Sequence, residues 1–131
     1  MYSSHFKLGL ESSNSPSKEL DPNKQILVTN GACEGLFSAT HNLIDKGDEV
    51  LAFQPYYTQY VNYVEFAGGK LKTIPMRLDS KNVWEFDFDQ FESMINERTK
   101  VVFLNNPHNP TGKVFTEKEI ERLTNILNKH P

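Results

Sequence analysis

The chain has one cysteine, Cys33, in 131 residues. That count excludes an internal disulfide and fits a reducing compartment. The histidines, His5, His41, His108 and His130, are scattered, and no Cys/His cluster has zinc spacing. No apolar run approaches a membrane span, and no signal peptide is visible after Met1. Charge of either sign is not in large excess. The net charge of −3 argues against nucleic acid or an anionic membrane as main partner. There is no internal repeat, no Walker A loop and no Gly-x-Gly-x-x-Gly fingerprint.

What is present suits one domain. The length allows a real core, and 37% apolar residues make burial feasible without excess. Residues 1–23 read as a loop or poorly ordered segment, because Ser12-Ser13-Asn14-Ser15-Pro16-Ser17 has nothing to bury. Asp21-Pro22-Asn23 is a turn into the ordered part, residues 24–131.

From there strands and helices alternate. Gln25–Thr29 is expected as a strand, Glu34 to about Asp45 as a helix, and Glu49–Phe53 as a strand. Lys46-Gly47 is the stop between them. Tyr57–Phe66 reads as a helix ended by Gly68-Gly69, and Leu71–Met76 as a half-exposed strand. Asp87–Ile95 is a short helix with acidic residues at its start, where the macrodipole favours them. Val101–Leu104 is four apolar residues in a row, the pattern of a short strand buried on both faces. Thr116 and Glu119 form a capping box for a last helix, with Ile120, Leu123, Ile126 and Leu127 on one face. The alternation predicts an α/β fold: a mostly parallel sheet flanked by helices. Pro131 follows a helix where another strand is expected, so the chain reads as cut off there.

Three turns carry the chemistry. Asn105-Asn106-Pro107-His108-Asn109-Pro110-Thr111-Gly112 follows the strand at 101–104. Its prolines stiffen the loop, so Asn105 and Asn109 can be held in fixed directions. In an open α/β sheet ligands bind beyond the strand C-termini, where this loop would lie. Asn30-Gly31-Ala32 precedes a helix, and the N–H groups of Ala32 and Cys33 suit a phosphate. Pro55-Tyr56-Tyr57 offers an aromatic ring for a planar ligand. Each turn taken alone also reads as a structural junction, that at Asn30-Gly31-Ala32 more readily so, and Tyr60 and Tyr63 read as ordinary core. Together the three suit a flat, phosphorylated, heteroaromatic cofactor.

The run Asn105-Asn106-Pro107-His108-Asn109-Pro110-Thr111-Gly112-Lys113-Val114 resembles the Asn-Pro-x-Gly segment of fold-type I pyridoxal 5'-phosphate (PLP) enzymes, the class I/II aminotransferases. Val28 to Phe37 is similar to their phosphate loop, and Lys46–Val50 with Gln54–Tyr57 to their next strand and stacking turn. The wording is nearest to kynurenine–oxoglutarate transaminases, which also act as cysteine-S-conjugate β-lyases. The resemblance implies that this is a partial large domain of such an enzyme. It implies phosphate contacts from the backbone of Ala32 and Cys33, ring stacking on Tyr57, and an amide on the PLP phenolic oxygen and substrate carboxylate from Asn109. It also implies a supporting amide from Asn105. Many relatives carry a hydroxyl or an aromatic residue where Cys33 stands.

The family's Schiff-base lysine, the Asp for the pyridinium nitrogen and the Arg for the substrate carboxylate lie C-terminal to this stretch. No lysine here occupies the Schiff-base motif. The implied activity of the parent is transfer of amino groups between an amino acid, of kynurenine or glutamine type, and a 2-oxo acid. The fragment itself is expected to be inactive. The other reading is a non-catalytic α/β binding or interaction module derived from such an enzyme. The parent is expected to be a cytoplasmic or mitochondrial homodimer.

Overall fold

A computed structural model describes residues 21–130. The chain divides into two units, one ending at Gly35 and one beginning at Leu36. The expected loop at 1–23 lies outside the described residues except for its last three.

In the first unit the turn at Asp21-Pro22-Asn23 forms as expected. The Asp21 carbonyl accepts from Lys24 and Gln25 N–H, and its carboxylate accepts from Asn23 N–H at 2.9 Å. Gln25–Thr29 is not a strand, which corrects the sequence expectation. Its apolar residues stand outward, with Leu27 and Val28 76% and 90% exposed. A strand is completed by a neighbour's N–H and C=O groups, and none of the described strands pairs with this stretch. Helix α1, Ala32–Leu43, follows directly.

The second unit is built around β1 (Glu49–Gln54), whose first five residues are all buried. Helix α2 (Gln59–Phe66) leads to β2 (Lys70–Leu78). Then come β3 (Trp84–Phe86), α3 (Phe88–Met94), β4 (Thr99–Phe103) and α4 (Glu117–Leu127). The strand order is β3-β2-β1-β4. β1 lies parallel to both β2 and β4, while β3 runs antiparallel to β2. The sheet is therefore mixed, with the expected parallel part formed by β2, β1 and β4.

β2 changes partner at Pro75. Residues 70–75 pair with β1 and residues 76–78 with β3. Proline has no N–H to give a ladder, so it is tolerated where one pairing ends and the next begins.

Successive side chains of β1 point to opposite faces. Leu51 and Phe53 join Ile74, Met76, Phe91, Phe115, Leu123 and Ile126 on one side. Val50 packs with Ile44 and Val64, and Ala52 with Tyr60 and Tyr63, on the other. Tyr60 and Tyr63 are thus core residues, as read from the sequence. Helix α4 starts at the expected capping box and buries the expected face, Leu123 and Ile126, with Ile120 and Leu127 partly covered.

One more expectation needs correction, and one strand was not expected. The strand at 101–104 ends at Phe103, and its residues are only half-buried. It is the edge strand of the described sheet, so no neighbour covers its outer side. β3 has no counterpart in the sequence reading, because three residues are too short to show a period.

At the N-terminal end of β1, Glu49 is 7% exposed and is held by Lys72 Nζ at 2.7 Å and Asn96 Nδ2 at 2.7 Å. The Lys72 bond, then the Asn96 bond, keep its carboxyl below the ordinary range against the opposing effect of burial.

Gly69 joins α2 to β2 where no side chain fits. A Cβ there would lie 2.7 Å from Ile44 Cγ2 and 3.1 Å from Val64 Cγ1. Both neighbours are buried and cannot swing away. Gly69→Ala is expected to destabilise the fold by about 1–3 kcal/mol, the usual cost of overpacking. A urea titration of the two proteins checks this, and an unchanged midpoint would show that the joint has slack.

Candidate functional site

β1 and β4 are parallel neighbours, so the turns that follow them leave from the same end of the sheet. The first carries Gln54-Pro55-Tyr56-Tyr57, the second Asn105 to Lys113. Cis peptide bonds occur at Gln54–Pro55, Asn106–Pro107 and Asn109–Pro110.

The second turn is the more closely built. Asn105 Oδ1 accepts the Asn109 N–H at 3.1 Å, and Asn106 Oδ1 accepts the Phe115 N–H at 3.0 Å. His108 and Lys113 close the loop: the His108 N–H donates to the Lys113 carbonyl at 2.8 Å. Inside it, the Gly112 N–H donates to the His108 carbonyl at 2.7 Å, with Gly112 at φ +71°. That backbone conformation favours glycine. The Asn109 side chain is exposed, and its amide makes no hydrogen bond among the described residues.

Two buried side chains hold this loop from beneath. His108 is 3% exposed, and its Nδ1 lies 2.9 Å from Thr111 Oγ1. Thr111 Oγ1 also accepts the Lys113 N–H at 3.2 Å. Burial pushes the His108 ring below its ordinary pKa, and the Lys113 charge adds to this, against a hydrogen bond to the Phe53 backbone. Lys113 is 9% exposed. Its Nζ donates to the Trp84 carbonyl at 2.8 Å and to Glu119 Oε1 at 2.7 Å, and lies 5.2 Å from the Phe115 ring centre. Burial alone would raise the Glu119 carboxyl, but bonds from Lys113 and Thr116 together bring it below the ordinary range.

Tyr57 lies in the turn between β1 and α2, half-buried, its ring edge-on to Tyr60 at 5.7 Å. Tyr60 in turn meets Phe103 of β4 at 4.6 Å, which ties the two turns' supports together. Beside them is a shallow, open depression lined by Gln54, Pro55, Tyr56, Thr58 and Val61. It touches none of the predicted site residues.

Ala32 and Cys33 belong to the first unit and open α1, two residues earlier than expected. Their N–H groups are among the first four of the helix, at the positive end of its dipole. Glu34 reaches back to accept the Asn30 N–H, and Thr29 Oγ1 donates to the Gly31 carbonyl at 3.0 Å. No group of His, Cys, Asp and Glu among the described residues could hold a metal ion.

The structure thus sets Tyr57, Asn105 and Asn109 on turns at one sheet end. The sequence reading passed over His108 and Lys113 as working residues. Nothing local marks them, because the partners that bury them, Phe53, Trp84 and Glu119, come mostly from elsewhere in the chain.

A ring held below its ordinary pKa by burial is neutral near neutral pH. Its contribution is complete above the unfolded pKa of about 6.5 and is lost as pH falls through the lower folded value. His108 is therefore expected to titrate below a free histidine. Carbon-13 NMR of the ring Cε1 against pH checks this, and a midpoint at or above the free value would contradict the burial argument.

The sequence model for aminotransferase class I and II matches residues 5–131. The chain is 44% identical over 115 residues to the probable kynurenine–oxoglutarate transaminase BNA3 of Saccharomyces cerevisiae, covering 82% of this chain and 26% of that protein. It is 39% identical over 120 residues to kynurenine–oxoglutarate transaminase 3 of Homo sapiens, covering 86% and 26%. The fold superposes with a TM-score of 0.80 on YbdL from Escherichia coli, a methionine aminotransferase, at 32% identity, covering 87% of this chain and 29% of that one. The chain thus spans about a quarter of the length of the curated relatives it matches. Despite that partial span, match and superposition agree, and the chain belongs to the class I and II aminotransferase family.

Proposed function

We propose that residues 24–131 are part of the PLP-binding large domain of a transaminase that moves amino groups between an amino acid and a 2-oxo acid. The observation that carries this reading is the loop after β4. It presents an uncommitted amide, Asn109, on a backbone fixed by Asn105, at the same sheet end as Tyr57. PLP is a flat anion with a phenolic oxygen, and the donor set fits it. Within the second unit the Tyr57 ring suits the pyridine face and the Asn109 amide suits the oxygen; within the first, taken by itself, the helix start at Ala32-Cys33 suits a phosphate.

PLP bound in such an enzyme supplies the electron sink for chemistry at the amino acid's α-carbon. This chain's residues bind and orient. Asn109 would be the donor to the phenolic oxygen and would reach the substrate carboxylate. Asn105 acts one step back, because its Oδ1 is spent on the Asn109 N–H. The backbone N–H groups of Ala32 and Cys33 would hold the phosphate. Substrates of kynurenine or glutamine type follow from the similarity to kynurenine–oxoglutarate transaminases. The whole enzyme is proposed to be a homodimer of the cytoplasm or mitochondrion. No helix among the described residues is long and apolar enough to cross a membrane.

Covalent anchoring of PLP needs a lysine amine that can lose its proton. The one buried lysine among the described residues, Lys113, is committed to Glu119 and the Trp84 carbonyl. The chain by itself is therefore expected to be inactive with PLP, kynurenine and 2-oxoglutarate. Steady turnover above that of free PLP would overturn this.

In the whole enzyme, Asn109→Ala is expected to remove one charge-assisted hydrogen bond, about 1.5–3 kcal/mol. The pH dependence of the bound cofactor's visible absorbance should move, and substrate affinity should fall. Tyr57→Ala is expected to act differently, loosening PLP retention on dialysis with less effect on that pH dependence. If Asn109→Ala leaves the absorbance profile in place, the loop is a structural turn.

A further inference from the structure

Beneath the Asn109 loop lies a cation that the cofactor reading does not use. Lys113 is buried, yet it is the residue directly after the loop's glycine. Its Nζ reaches the Trp84 carbonyl of β3 at 2.8 Å and Glu119 of α4 at 2.7 Å. Glu119 is held in place by its own second task. Its Oε2 accepts the Thr116 N–H at 2.8 Å and the Thr116 hydroxyl at 2.9 Å, closing the helix cap. One carboxylate thus joins the start of α4 to the end of the loop.

The chain of contacts continues upward. The Lys113 carbonyl accepts the His108 N–H at 2.8 Å, and the Lys113 N–H donates to Thr111 Oγ1. Thr111 Oγ1 in turn meets His108 Nδ1. His108 is adjacent to Asn109. The lysine therefore fixes the C-terminal limb of the loop, while Asn105 fixes the N-terminal limb through the Asn109 N–H.

We propose that Lys113, clasped between Glu119 and the Trp84 carbonyl, is the positioning residue that sets the direction of Asn109. This rests on the reading of Asn109 as a cofactor ligand only for its purpose, not for its geometry. A buried ammonium removed from its carboxylate leaves that carboxylate partly buried without its counter-charge, which is costly. The loop is then expected to open locally before the sheet does.

The test uses the 131-residue chain in four forms: wild type, Lys113→Met, Glu119→Gln and Lys113→Arg. Ile126→Val serves as a reference that weakens the core away from the loop. Amide hydrogen exchange is read at His108 and Gly112, and at Leu51 and Phe53 of β1. Lys113→Met is expected to speed exchange at His108 and Gly112 by about tenfold more than at the β1 amides. The Asn109 side-chain amide signals should move toward those of a solvated asparagine. Glu119→Gln keeps an oxygen for the cap and loses the charge, so it gives the same direction at smaller size. It carries the test if Lys113→Met does not fold. Lys113→Arg retains a cation within reach of both acceptors and is expected to return the signals toward wild type.

The proposal is overturned if Lys113→Met and Glu119→Gln affect the loop and β1 amides in the same proportion as Ile126→Val does. It is also overturned if the Asn109 side-chain signals stay unmoved. None of these readings involves cofactor. The functional reading is tested apart from this, by Asn109→Ala in the whole enzyme: an unmoved absorbance profile there counts against that reading, while the exchange comparison still decides the clasp.

Discussion

Everything in the second unit depends on one strand being covered on both faces. β1 has no exposed side until Gln54, so it needs apolar cover above and below. α2, Leu36 of α1 and Ile44 just after it supply it on one side, α3, α4 and β3 on the other. The cost of ordering this many residues is offset mainly by that burial. Both turns of interest sit just past β1 and its parallel neighbour β4, so their positions are inherited from the sheet.

A polar site on such a scaffold faces a second problem. The loop after β4 is rich in amides, and an amide free to rotate selects no ligand. The structure solves this by spending some polar groups to fix others. Asn105 and Asn106 give their oxygens to backbone N–H groups, and a buried histidine and lysine brace the turn. Only then is Asn109 left with its amide unengaged. The burial of two ionisable side chains beneath an exposed loop is tolerated because each has partners: Thr111 for His108, Glu119 and a carbonyl for Lys113.

Much of this was legible in the sequence. The capping box at Thr116 and Glu119, the apolar face of α4, the stop at Gly68-Gly69 and the core positions of Tyr60 and Tyr63 all follow from short-range patterns. The errors came where pairing decides. Gln25–Thr29 has the composition of a strand but no described partner, and β4 has the composition of a buried strand but lies at an edge. Composition reports what a residue can do, and only a neighbour determines whether it does. The bracing role of Lys113 was hidden for the same reason, since the Trp84 carbonyl is 29 residues away. The family resemblance found the loop through its wording, but not what holds it.

The partner change of β2 at Pro75 has one more consequence. Residues 76–86 form a small antiparallel hairpin that could part from the sheet while the parallel pairing of residues 70–75 with β1 persists. Its outer strand, however, supplies the Trp84 carbonyl to Lys113. Fraying of the hairpin would therefore slacken the loop beyond β4, although the two are far apart along the chain and lie on different strands. Hairpin and loop are thus tied to each other through one side chain, that of Lys113.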